Sequence, residues 1–479
     1  MENAASTHRT DLSQPSLDGL PNPVVADPNA AHARSTLIAA CVSGFLFQFD
    51  LTALSAALPD IASNLSARVV DQAWIITVYS LALIFVLPLA GPMADRYGRR
   101  RMFMGGTVLF AVASVLCATA TTLASLLAWR ILQGIAAGAF TASAAALLTV
   151  AYPGSRRAWA FGVWGTVVGA SMVAGPPLGA LIASAFGWPW VFWINIPVCA
   201  VLVLLTLRIA NDPARPDAPA PLDWAGPIAL AAGVGLLAFL LLAAYEPFGS
   251  STIFTVIALS GCIVAFAVFV WVERRHVAPA FDFALFGSAR FAAMCLVAIA
   301  SSIGFWALLV HLPQMARGPM GLSPTDTGLL LTALTVPMLL LPSVGARLAT
   351  KLPARWYFAG GLGIIGVADL CLALVSQDFN APTAGWAVIG ALLVSGAGCA
   401  AINAQITAAA VSAVPAERAA TASAICVTMR QIGFAFGIAL IGALVQQDNP
   451  LAYPTAFAVV SACTLGLAIL AFVLLRRSD

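Results

Sequence analysis

Gly91-Pro92-Met93-Ala94-Asp95-Arg96-Tyr97-Gly98-Arg99-Arg100-Arg101 is a charged break between two apolar runs, at roughly 72–93 and 102–121. Each run reaches the ~20 residues a membrane-spanning helix needs. Both are far longer than the ~10-residue alternating strands of a barrel. Outward from this stretch the same pattern repeats. Runs bounded by charge, Pro and Gly predict fourteen spans at roughly 35–59, 72–93, 102–121, 123–150, 158–184, 190–209, 223–244, 251–271, 290–313, 325–347, 355–376, 384–411, 420–445 and 453–475.

Composition agrees. The 479 residues are 61% hydrophobic and 9% charged, where a soluble domain carries roughly 25% charge. That excludes a soluble enzyme, and disorder needs the opposite balance. A net charge of +3 is too small to suggest nucleic acid, and none is expected as a partner. The nine cysteines lie in apolar runs with no CxxC or Cys/His cluster, so they act as small hydrophobes. Neither a metal site nor a cofactor is expected.

Arg and Lys set the orientation. With the N-terminus inside, 19 of the 23 basic residues fall in inner segments, Arg68 and Arg317 in outer loops, and Arg130 and Arg430 within spans. The positive-inside rule thus places both termini in the cytoplasm and requires an even number of spans. Residues 1–34 are polar, with four prolines and no apolar signal region, and are expected to be a disordered cytoplasmic tail.

A worn copy of the opening stretch, Gly345-Ala346-Arg347-Leu348-Ala349-Thr350-Lys351-Leu352-Pro353-Ala354-Arg355, follows span 10. Two such loops eight spans apart predict a duplicated six-helix unit with two added spans. The expected divisions are a six-helix bundle at 35–209, a linker at 210–222, two inserted helices at 223–271, a linker at 272–289, a second bundle at 290–475 and a tail at 476–479. The fold class is therefore an all-α polytopic membrane protein.

At this point the chain resembles the fourteen-helix drug:H+ antiporter group of the major facilitator superfamily, over residues 35–475. Gly91–Arg101 resembles that family's motif A, and Arg130-Ile131-Leu132-Gln133-Gly134 its motif B. Gly165, Gly169 and Gly175-Pro176-Pro177-Leu178-Gly179 resemble motif C, which is associated with antiporters. Asp50-Leu51-Thr52 with Ala57-Leu58-Pro59 resembles the first-span motif of the group. Trp188–Pro197 resembles the start of its sixth span, with Pro189 where Arg is usual. The resemblance implies multidrug efflux, proton coupling and antibiotic resistance.

Asp50 lies nine residues from Pro59, about 13 Å below the outer end, and Arg130 seven residues from Leu123, about 10 Å deep. The two can meet. Burial disfavours a charged carboxylate and an adjacent arginine favours it, so a movable Arg130 would let Asp50 load and release a proton. The alternative is a fixed pair that only locks packing. Arg430 and Gln431, near the midplane of span 13, can hold an anionic substrate or satisfy helix-end carbonyls, and the two readings weigh equally. Asp369 in span 11 is expected to serve local structure rather than as a second proton site. Asp95, Arg96 and Arg99, with turns at Gly91 and Gly98, form an expected gate in which Asp95 faces the N-terminus of span 13 near Thr421; the plain alternative is a positive-inside loop. The glycines and Pro176 of span 5 are expected to permit close contact and a bend. Gln133, Asn195 and Asn403 can line the path, although most such residues only hydrogen-bond between helices, contributing about 0.6 kcal/mol each. Phe47 and Trp306 can form apolar walls, against the plainer reading of core packing.

These features together predict a proton-coupled antiporter that exports small amphipathic compounds by alternating access, a monomer in a bacterial cytoplasmic (inner) membrane. Its partners are the substrate, protons and the lipid bilayer. No GxxxxGK[ST] phosphate loop occurs. One rival is an exporter of an anionic or neutral metabolite, since two arginines lie deep in the membrane. The other is a lipid-modifying membrane enzyme, for which no paired acidic motif or nucleophile–base set is found within a span.

Overall fold

The apolar runs leave the backbone one way to satisfy itself in lipid, which is to bond along its own axis. The computed structural model describes residues 28–153, 156–209, 222–243, 252–379, 383–415, 418–445 and 451–476, and no strand occurs among them. The helices are α1 (Pro28–Asn64), α2 (Val69–Tyr97), α3 (Arg99–Ala118), α4 (Leu123–Ala151), α5 (Arg156–Phe186), α6 (Trp190–Trp193), α7 (Asn195–Leu207), α8 (Ala225–Ala243), α9 (Thr252–Arg275), α10 (Ala289–Ser301), α11 (Ala307–Arg317), α12 (Pro324–Leu340), α13 (Pro342–Lys351), α14 (Ala354–Val375), α15 (Ala384–Ser412), α16 (Ala419–Val445) and α17 (Ala452–Arg476). Thirteen continuous helical stretches among the described residues are long and apolar enough to span a membrane, and the bent pair α12/α13 makes fourteen.

α1 packs on α5, and α3 and α2 on α4; in the second half α14 packs on α17 and α15, and α12 on α15. The seam between halves is built by α5 on α12, α2 on α16 and α1 on α11. The added pair α8/α9 packs together, and α8 touches both α2 and α16.

Four expectations change. The first helix starts at Pro28, inside the segment expected as a tail; Pro is favourable in a first turn, and Tyr152 Oη donates to Ala33 O at 3.0 Å. Residues 1–27 of that tail lie outside the described residues. The stretch at 91–101 is mostly helix, not loop. α2 runs on to Tyr97 and α3 begins at Arg99, so Gly98 alone, at φ +93°, makes the turn and Gly91 sits inside a helix. Span 10 is not one straight helix: it bends by 51° between Leu340 and Pro342, where proline interrupts the ladder. Span 9 carries a π-helical turn at Ser302–Trp306 between α10 and α11.

Candidate functional site

Four spans of the first half converge on Asp50, which is fully buried. Arg130 Nη1 donates to Asp50 Oδ2 at 2.7 Å and to Gln133 Oε1 at 2.6 Å. Gln133 Nε2 and Asn195 Nδ2 each donate to Asp50 Oδ1 at 3.0 Å. Ser114 Oγ accepts from both amides, at 3.0 and 3.2 Å. The guanidinium also lies 4.2 Å from the centre of the Tyr79 ring and bonds Ile75 O through Nε. Helical phase explains the grouping, because Arg130 and Gln133 are three residues apart on α4 and share a face. The carboxylate is thus held by one cation and two amides drawn from two neighbouring helices.

The glycines of α5 divide into two kinds. A methyl on Gly175 would come 2.8 Å from Thr52 Cβ, and one on Gly179 would come 2.6 Å from Ala53 Cα. At these positions α5 presses on α1 two and three residues beyond Asp50, and Pro176 lies in the contact with Gly328 of α12. Gly165 has nothing within 4 Å, and Gly169 meets only Met338 O at 3.3 Å. The expectation that all these glycines serve close contact is therefore corrected for Gly165. Glycine spacing does not say which side a neighbour occupies.

The seam is closed at one end. Arg317 Nη1 and Nη2 clamp Asp60 at 2.6 and 3.1 Å, and Gln314 Nε2 donates to Gln72 Oε1 at 2.9 Å. A methyl on Gly328 would lie 3.1 Å from Pro177 Cα. At the arginine-rich end Gly91, Gly162 and Gly165 all face open space. There Asp95 does not meet the N-terminus of α16: its half-exposed carboxylate accepts from Arg99 Nη2 at 2.8 Å. Among the described residues Asp95 is thus paired within its own segment, and no hydrogen bond joins it to α16. Arg96 lies over the Tyr97 ring, and Arg100 caps the C-terminus of α7 at Thr206 O and Leu207 O.

The Asp60–Arg317 clamp leads to a prediction. Arg317→Ala in a cysteine-free background is expected to fold normally and to raise maleimide labelling at Gln72→Cys by roughly 2–5-fold, since a part-exposed pair contributes about 1 kcal/mol. Unchanged labelling would mean that the clamp does not hold the seam.

In the second half, Arg430 lies eleven residues into α16, about 16 Å from its arginine-rich end, beside Cys399 and Cys426. It stays partly exposed at that depth, and among the described residues no hydrogen bond or ion pair engages it. Gln431 is also partly exposed. The Asn403 Oδ1, one helical turn from Cys399, is buried with no partner. Trp306 is buried against Phe305 with its Nε1 unpartnered, and Phe47 is half-buried against the cluster around Tyr79 and Leu46. Asp369 is fully buried with neither carboxylate oxygen bonded, so the expected local partner is missing. Near it lie Gly304 and Thr464, the latter also unpartnered.

An all-helical membrane chain, with two halves joined along a seam and ionisable groups held deep in each, is built as a transporter rather than an enzyme. The chain belongs to the Major Facilitator Superfamily, whose profile matches residues 40–300 and 294–479. It is 29% identical over 410 residues to Multidrug resistance protein Stp of Mycobacterium tuberculosis (strain CDC 1551 / Oshkosh), covering 85% of this chain and 75% of that one. It is 30% identical over 424 residues to the Tetracenomycin C resistance and export protein of Streptomyces glaucescens, covering 88% and 78%. Among solved structures, a POT family transporter in complex with 5-aminolevulinic acid shares the fold at a TM-score of 0.69 and 15% identity, covering 92% of this chain and 96% of that one.

Proposed function

We propose that this protein is a proton-coupled exporter of small amphipathic molecules that works by alternating access across a bacterial cytoplasmic membrane. The arginine-rich end is the cytoplasmic one by the positive-inside rule, which puts the Asp60–Arg317 clamp on the outer side. The observation that carries the reading is the Asp50–Arg130 pair, a fully buried carboxylate bonded to one cation among the described residues. Drawing Arg130 away would leave an uncompensated carboxylate in low dielectric, which takes up a proton; returning it expels the proton. Gln133 and Asn195 hold the carboxylate in place through both states. The names of the multidrug and antibiotic exporters support the direction of transport. Moving one charge across 100 mV is worth about 2.3 kcal/mol, so the membrane potential adds to any pH gradient. The chain acts as a monomer, since each half supplies its own polar centre.

The test is proton flux in proteoliposomes with an interior pH dye, comparing wild type with Asp50→Asn over cationic, neutral and anionic compounds. Compound-dependent proton movement is expected in wild type and lost in the variant. Transport without proton movement, or coupling unchanged by Asp50→Asn, would refute the assignment.

A further inference from the structure

Two arginines lie deep in this membrane domain, and their surroundings are opposite. Arg130 is fully buried, and its charge is matched by Asp50 at 2.7 Å. Asp50 also accepts from Gln133 and Asn195, and its charge is already balanced by Arg130. Arg430 sits at comparable depth but is accessible, and no acidic side chain pairs with it among the described residues. Asp369, another carboxylate buried deep among the described residues, lies beside Gly304. Gly437, seven residues beyond Arg430 on the same helical face, packs instead on Ile303 and Ala307. The neighbours of Arg430 are thiols: Cys399 and Cys426, with Thr407 bonded to the latter.

An intramembrane charge is costly and is normally paired or directed into a watery cavity. Arg430 keeps exposed surface at that depth, so it presents one unmatched positive charge to the space beside it. Its planar guanidinium offers a fork of donors suited to a carboxylate, sulfonate or phosphate. A cation placed there would meet repulsion and no counter-charge.

We propose that Arg430 is the anion receptor of the substrate cavity and that the exported molecules are amphipathic anions bearing one such group. This rests on the transporter reading given above and names the substrate class.

The experiment uses a pair of permanently charged probes with one shared ring system, 1-naphthalenesulfonate and trimethyl(1-naphthyl)ammonium. Binding to the purified full-length protein is measured by titration calorimetry for wild type, Arg430→Gln and Arg430→Lys. The sulfonate is expected to bind wild type more tightly than the ammonium. Arg430→Gln should weaken it by roughly 10–100-fold, as loss of a hydrogen bond to a charged group implies. Arg430→Lys should fall between, because it keeps the charge and loses the fork. No sulfonate binding, an ammonium bound as tightly, or sulfonate affinity unchanged in a monodisperse Arg430→Gln would overturn the proposal. If Arg430→Gln does not fold, the wild-type charge preference and Arg430→Lys decide. Proton movement in proteoliposomes is read separately: sulfonate transport without it would refute the coupling reading and leave the anion receptor standing.

Discussion

Arg130→Met is expected to lower the stability of the folded protein by about 3–5 kcal/mol, and adding Asp50→Asn to it is expected to restore most of the loss. The single change removes the one cation that, among the described residues, bonds this carboxylate of no solvent exposure. What remains is a buried carboxylate without its counter-charge, a costly arrangement. Gln133 and Asn195 soften the loss but carry no charge. The double variant has no ion to bury, and the amide oxygen at position 50 can still accept from Gln133 and Asn195. Such recovery is the behaviour of buried pairs, whose removal as a unit is often close to neutral. Thermal unfolding in detergent, or the yield of monodisperse protein, gives the comparison. A double variant as unstable as Arg130→Met would show that Arg130 stabilises through Tyr79 and Ile75 instead. The double variant should fold and still fail to couple protons, which separates stability from function.

Gly179→Leu is expected to prevent formation of a stable α1–α5 contact, while Gly165→Ala in the same helix is expected to stay within about 0.5 kcal/mol of wild type. Overpacking usually costs about 1–3 kcal/mol when neighbours can rotate away. Here the obstacle is backbone: the Cα of Ala53 lies 2.6 Å from where the new Cβ must sit, and its carbonyl oxygen is also in the way. The two helices would have to separate along the contact that also holds Gly175 against Thr52. Asp50 lies one turn from that contact, so the displacement would also disturb its bonds to Asn195 and Gln133. Equal yields of monodisperse protein for the two variants would show that α5 can withdraw without penalty.

Span count, the duplicated halves with their added helical pair, and the meeting of Asp50 with Arg130 were all legible in the chain. Length, charge and rise per residue are local quantities, and they give the depth of each side chain. What they do not give is azimuth. Ser114 and Asn195 complete the shell around Asp50 from α3 and α7, and nothing local says that these helices turn those faces inward. In the sequence Asn195 reads only as one of several polar residues that can line the path. The Asp60–Arg317 clamp joins positions 257 apart in the chain, both at the ends of spans. No pattern marks either partner. The bend before Pro342 falls inside the apolar run at 325–347, and an apolar run by itself does not mark where a span breaks. Gly98 and Gly91 look alike in sequence; only backbone conformation distinguishes the glycine that turns from the one that lies in α2.

The π-helical turn at Ser302–Trp306 acts as a phase shifter. One residue beyond the α repeat swings everything downstream by about 100° around the axis. Upstream of it, α10 attends to its own half, against α15, α16 and α17; downstream, α11 reaches across to α1. A single-residue excision within 302–306 would return the span to an even winding and turn Gln314 and Arg317 together away from Gln72 and Asp60. One deletion at the midplane would thus unlatch the seam some 15 Å away, with every latch residue still in the chain.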